Sequence, residues 1–188
     1  MKKTLLILII SLTHSIHSQT VVKKALGDYS ILKVYNGIEV LLLQSNEQKI
    51  EIKGEKSEKV KIKNVNGVLK LSLPFSLKPE NNYGKGKVFI TLYYNSNIDV
   101  IDANEGSIIT GKEFHQEKLK VNSQERAFIN LTSKVKYLIV RTSTGGMIKL
   151  TGTTENQEVD VDLYGIYNGY GMQTSGNSTV KAGTGAKA

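Results

Sequence analysis

The 188-residue sequence has no cysteine. No disulfide can staple the fold, and thiolate catalysis and zinc–thiolate sites are excluded. Histidine occurs three times, at His14, His17 and His115. A histidine-rich metal site is therefore out of reach, and nothing beside His115 suggests a carboxylate-oriented base facing a nucleophile. Only two of the 25 basic residues are arginines, Arg126 and Arg141. Nucleic-acid readers rely on arginine clusters interleaved with aromatics, so the scattered lysines read as solvated faces and no nucleic-acid partner is expected. Both prolines fall between Pro74 and Lys87, a stretch also rich in glycine and asparagine that reads as a long loop. No segment holds a 3.6-residue apolar period over three turns, so no helix is expected. No nucleotide-binding glycine loop and no repeated calcium-roll motif occurs, and no cofactor is expected.

Long apolar runs are also missing. The only candidate, Leu5 to Leu12, follows the charged start Met1-Lys2-Lys3 and precedes the polar stretch Thr13 to Gln19. It is too short to span a bilayer but suits the core of a signal peptide, here residues 1–18 with Ser18 before the cut. Export to the periplasm, outer-membrane surface or extracellular space is expected, with no transmembrane span. Removing Lys2 and Lys3 takes the formal charge from +8 to about +6; a weak attraction to anionic polysaccharide or headgroups follows. With 39% hydrophobic and 22% charged residues, the rest is an ordinary folding chain rather than a disordered one.

What is present is alternation. Lys49-Ile50-Glu51-Ile52-Lys53, Val60-Lys61-Ile62-Lys63 and Val68-Leu69-Lys70-Leu71-Ser72-Leu73 alternate strictly, which means strands with one buried face. Asn36-Gly37, Gly54 and Asn66-Gly67 punctuate them as hairpin-like turns. From residue 98 the chain repeats. The apolar pairs Ile98/Val100, Leu119/Val121, Leu138/Val140, Val159/Val161 and Val180/Ala182 recur at intervals of 21, 19, 21 and 21. A second set, Ile108/Thr110, Ile129/Leu131 and Ile148/Leu150, follows the first three pairs. A period near 20 with strands at fixed offsets is that of a parallel β-helix, or β-solenoid, whose inward residues stack into columns. The expected organisation is a strand-rich N-terminal half, 19–97, and solenoid coils, 98–188. Outward charges should complement one another: Asp99 beside Lys120, Arg141 beside Asp162, Asp160 beside Lys181. The last segment, Ala182 to Ala188, looks like a coil left unfinished, which points to a truncated chain or to self-association through an open edge.

Candidate recognition residues cluster late. Asp160 and Asp162 share one side of a strand, about 7 Å apart. They could hold Ca²⁺ or serve glycoside hydrolysis, although charge pairing across coils explains them without a reaction. In the fourth coil glycines replace the expected apolar residues, so the coil bulges or shifts register. Tyr164, Tyr167 and Tyr170 accompany those glycines; tyrosines stack on sugar faces or anchor protein interfaces. A noncatalytic binding module that engages a cell-surface glycan or an envelope protein is the leading expectation. A polysaccharide-active β-helix enzyme and a structural protein pairing through its edge are the alternatives.

Several segments in order, Val34-Tyr35-Asn36-Gly37-Ile38-Glu39-Val40, Ile98 to Gly106, Thr144-Gly145-Gly146, Gly165-Ile166-Tyr167-Asn168-Gly169 and Ala182 to Ala186, resemble the putative auto-transporter adhesin, head GIN-domain family of Bacteroidetes envelopes. The resemblance covers essentially the whole chain after the leader. It implies a solenoid-like fold at the cell surface or in the periplasm, and an adhesin-like role without defined catalytic or ligand residues.

Overall fold

The computed structural model describes residues 22–74 and 88–188. The leader expected over residues 1–18, and all but the first residue of the loop expected from Pro74 to Lys87, lie outside them. The described chain is all-β, with a single 3-10 turn at Ser57–Lys59 and no α-helix. Thirteen strands form one curled sheet arranged as a β-solenoid of about four turns.

The repeat occupies the second half. Strands β8 (Val100–Ala103), β9 (Ile108–Ser123), β10 (Phe128–Thr142), β11 (Met147–Val161), β12 (Ile166–Thr174) and β13 (Ser178–Ala182) run through successive coils. Side A stacks β8, the later halves of β9, β10 and β11, and β13; side B stacks the first halves of β9, β10 and β11, and β12, all in parallel. Residues alternate in and out along each strand, so every inward residue meets its equivalent one coil on. Val121, Val140 and Val159 form one such column on side A, and Ile109, Ile129 and Ile148 another on side B; all six are fully buried. Burying a Val or Ile side chain contributes about 1.5–3 kcal/mol, so these columns supply much of the cohesion.

The columns correct two parts of the sequence register. On side A the offsets are Ile101 to Val121, Val121 to Val140, Val140 to Val159 and Val159 to Val180. Leu119 does stack on Leu138, but Leu138 faces Gln157 rather than Val159, and Val100 pairs with Lys120 and points outward. On side B the inward residue is Ile109, and Ile108 is outward beside Phe128. Apolar residues at spacing two fit more than one stacking, and a one-residue slip exchanges the faces. Of the expected charge pairs, Asp160 stands in register with Lys181 as the sequence suggests, whereas Arg141 stands beside Asp160 rather than Asp162, and Lys120 beside Val100 rather than Asp99. In the fourth coil the sheet bulges between Asn168 and Gly171, and Tyr167 fills the column below Ile148.

Between sides A and B the chain turns a four-residue corner, and successive corners stack. The two central residues are left-handed: Asn36-Gly37, Glu105-Gly106, Glu125-Arg126, Thr144-Gly145 and Leu163-Tyr164 all have φ between 44° and 72°. Glycine and asparagine tolerate such angles; Leu163 and Tyr164 adopt them at a cost of about 1–2 kcal/mol per residue. The corners hold one another: the second residue's N–H donates to the carbonyl of the first residue one coil on, as in Gly37 to Glu105 (2.9 Å), Gly106 to Glu125 (3.0 Å) and Gly145 to Leu163 (3.0 Å). Inside the corner the Ser123 and Thr142 hydroxyls donate to the Ala127 and Gly146 carbonyls at 2.8 and 2.7 Å, so these buried polar atoms are satisfied.

The N-terminal half is woven onto this stack. β2 (Ile31–Val34) and β3 (Glu39–Gln44) lie on β8 and β9 at one common offset of 69 residues, Ile31 to Val100 and Glu39 to Ile108. The segment is thus a coil in all but sequence continuity, and Asn36-Gly37 is its corner, not a hairpin. β6 (Val68–Ser72) and β7 (Phe89–Tyr94) add one more rung on β2 and β3. The exposed end is closed by antiparallel strands: β5 (Lys61–Val65) on β6, through a true hairpin at Asn66-Gly67, and β4 (Lys49–Lys53) on β7 with β1 (Val22–Ala25) on β4. Antiparallel closure with lysine-rich edge strands keeps the parallel ladder from presenting an open edge at that end.

Candidate functional site

Outward positions on side A form a file that crosses every coil. In order it reads Lys70, Lys33, Asp102, Asn122, Arg141, Asp160 and Lys181. One end of the file is tied down. Lys33 Nζ lies 3.4 Å from Asp102, whose carboxylate also accepts from the buried Asn104 amide at 3.1 Å; the Gln124 amide in turn donates to Asn104. Asp102 is therefore a structural anion, nearly buried and compensated by a lysine and an amide. Beside it, Tyr35 lies under the Lys70 ammonium, 4.2 Å from the ring centre. Desolvation, reinforced by Asp102, raises the Tyr35 phenol above its ordinary pKa.

Further along the file, beyond Asn122, the side chains are exposed. A groove of about 330 Å³ opens between this file and the corner, lined by Lys120, Asn122, Gln124, Arg141, Ser143 and Asp160 among others. Arg141 and Asp160 are exposed and in register on adjacent coils, yet no ion pair within 4.0 Å joins either to a described residue. The groove is lined by a guanidinium fork, an ammonium, two amides, hydroxyls and three carboxylates. Of these, Asp102 is tied to Lys33, Asp162 accepts two backbone N–H groups, the Gln124 amide donates to Asn104, and the Asn122 Oδ1 is buried. Arg141 and Asp160, with the half-buried Lys120, are thus the charged groups turned toward a ligand. Such a mixed lining matches a ligand carrying both hydroxyls and an acidic group.

The five residues singled out from sequence part company. Asp160 and Asp162 both line the groove. Asp162 serves the corner: its carboxylate accepts the Leu163 N–H at 2.8 Å and, one coil on, the Thr184 N–H at 3.0 Å. Tyr164 stands at the same corner, 68% exposed, with its ring over Gly185, where an added Cβ would lie 2.4 Å from the ring. Tyr167 points inward and is 8% exposed, so it belongs to the core and not to a surface. Tyr170 caps the bulge on side B, 99% exposed. Sequence reading missed Arg141 as a site residue. Its rarity in a lysine-dominated chain was the available signal, but its isolation from Asp160 is visible only in three dimensions. His115, the one described histidine, is exposed away from this groove and lines a separate depression with Lys134 and Gln173. No group of three or more His, Asp or Glu able to hold a metal ion occurs among the described residues.

The outer surface of side B differs. Phe89, Glu39, Ile108, Phe128, Met147 and Ile166 occupy one outward column on successive strands, and Leu41 and Leu43 flank it on β3. Phe89, Leu41, Leu43 and Met147 are 38–47% exposed.

Residues 28–188 match the family described as putative auto-transporter adhesin, head GIN domain. The chain belongs to that family. Among solved structures, this head GIN domain is similar to a putative adhesin from Bacteroides fragilis, with TM-score 0.77 and 14% identity over 89% of this chain and 78% of that one. It is also similar to a putative adhesin from Parabacteroides merdae (TM-score 0.61, 13% identity, 90% and 96% covered) and to a putative lipid binding protein from Parabacteroides distasonis (TM-score 0.59, 12% identity, 90% and 96% covered). At such identities these likenesses establish the fold alone. No curated protein matches the chain in sequence. No helix among the described residues is long and apolar enough to cross a membrane.

Proposed function

We propose that this head GIN domain is an exported, noncatalytic, adhesin-like module that holds an acidic glycan of the cell envelope in the side A groove. The observation that carries the reading is Arg141: an arginine in a lysine-rich chain, exposed in a mixed-charge groove and unpaired although Asp160 stands in register beside it. A guanidinium fork takes a carboxylate in two parallel hydrogen bonds. Asp160, Asn122, Gln124 and Ser143 offer acceptors and donors to ring hydroxyls, and Tyr164 at the neighbouring corner offers an aromatic face. A dianionic phosphate fits less well, because the same lining carries Asp160 and Asp162. The groove sits on a ladder of strands and stacked corners, which preorganises these groups and lowers the entropic cost of binding. The family's adhesin-like description supports a binding role over a catalytic one.

The test is binding of the purified protein to an array of uronate-bearing and neutral glycans, followed by titration calorimetry on any acidic hit. Arg141→Gln should weaken binding at least tenfold with the circular dichroism spectrum unchanged. Absence of binding to every acidic glycan and to isolated envelope fractions would remove the reading.

A further inference from the structure

We infer that the outer surface of side B is an interface between two copies of this chain, which pair sheet to sheet and leave both side A grooves open. Side A mixes a polar outward file, Lys70 through Lys181, with a second outward column, Val68, Ile31, Val100, Lys120, Ile139 and Glu158, in which apolar residues are interspersed with charges. On side B the large exposed side chains are mainly apolar. Here the column runs Lys53, Phe89, Glu39, and then without further charge through Ile108, Phe128, Met147 and Ile166, with Leu41 and Leu43 beside it. The next column is mostly uncharged: Thr91, Leu41, Thr110, Asn130, Lys149 and Asn168. A contiguous exposed apolar stripe of this kind marks an interaction surface rather than a solvated face.

Area and charge select the occupant. The six strands from β7 to β12 stand about 4.8 Å apart and display about five residues each, so the face measures about 29 Å by 17 Å. Two such faces bury roughly 1,000 Å² together, in the range of a weak interface. Two sheets covering each other at about 10 Å, with strands nearly aligned, is a standard way for an apolar sheet face to leave water. A formal charge of about +6 without the leader makes copies of the chain repel one another over most of their surface. Side B is where they can approach: among the described residues nearest the corner on the strands from β7 to β12, the charged outward ones are Glu39, Lys112 and Lys149, and the charged row of Lys49, Glu51 and Lys53 on β4 borders the face. A second copy presents the same twist and the same apolar column, so the match requires no foreign partner.

Sedimentation velocity of the purified chain from about 1 to 200 μM tests this. The expected result is a reversible monomer–dimer equilibrium with a dissociation constant in the micromolar range. Leu41→Lys combined with Met147→Lys should raise that constant at least tenfold; both positions point outward, and an unchanged circular dichroism spectrum verifies that the fold survives. Val180→Lys, on the last described coil, should leave dimerisation intact. A monomer at all concentrations, association indifferent to the side B lysines, or association abolished by Val180→Lys would each overturn the inference. So would a monomer that floats with phosphatidylcholine vesicles in a manner dependent on Leu41 and Met147, which would assign the stripe to a lipid surface.

Discussion

Two identical substitutions on one strand separate this solenoid from any other reading of its alternation. Ile129 and Ile139 both lie on β10. Ile129 points inward between Ile109 and Ile148 and is fully buried; Ile139 points outward on side A and is only partly covered. Replacing Ile129 by Ala removes three buried carbons, about 2.4 kcal/mol of transfer free energy at about 0.8 kcal/mol each. The cavity left in a column held rigid by ladders above and below adds about 1–2 kcal/mol, for a total of about 4. Ile139→Ala removes the same atoms from a site that solvent refills, and should cost less than about 1.5 kcal/mol. For a chain of this length 1 kcal/mol shifts Tm by about 2–4 °C. The inward variant should therefore melt about 8–16 °C lower, and the outward one within about 6 °C of wild type. Urea unfolding provides the second readout: midpoints should move in the same ratio while the slope stays constant. Equal losses at the two positions would refute the register, and with it the argument that stacked columns hold the molecule together.

Three further outcomes follow from packing, titration and backbone geometry. A Cβ added at Gly146 would lie 2.3 Å from the Ser123 carbonyl oxygen; because the obstacle is backbone of the next coil, Gly146→Ala should destabilise by about 3 kcal/mol or more in thermal unfolding, and a smaller cost would mean the corners are not closely stacked. Burial pushes the Tyr167 phenol up from 10.0 to about 12; the unfolded chain ionises first, so stability is full below pH 10 and falls as the pH rises from about 10 to about 12. Tyr167→Phe should flatten that decline, as followed by chemical denaturation at a series of pH values. Leu163 and Tyr164 occupy left-handed angles that suit Asn-Gly; the double replacement should raise stability by about 1–2 kcal/mol and, if Tyr164 stacks on ligand, weaken glycan binding at the same time.

The N-terminal half shows where sequence signals lose their meaning. Asn36-Gly37 and Asn66-Gly67 carry the same dipeptide and the same left-handed angles. The second closes a hairpin and the first turns a solenoid corner. The dipeptide fixes only the local reversal. Whether the flanking strands pair with each other or with distant segments depends on which edges are available, and β8 and β9, 69 residues away, are the partners here. The candidate site divides in the same way. Asp160 is where alternation put it, on the outer face, but Asp162 is held by two backbone N–H groups and Tyr167 is in the core. Asp162 belongs to the corner rather than to a strand, and the in-and-out phase is set anew after the corner at Ile166, which turns Tyr167 inward.

The sequence by itself determined that the chain is all-β, that its second half repeats every 19 to 21 residues, and that inward residues are apolar, because a period-2 pattern can bury only one face. It also pointed to the family. Only the tertiary structure decided which apolar residue stacks on which, that residues 31–42 serve as a coil despite their separation, and that Arg141 is left without a partner. Those choices depend on hydrogen bonding between segments far apart in the chain, and the energies that settle register are summed over whole columns rather than read from any one strand.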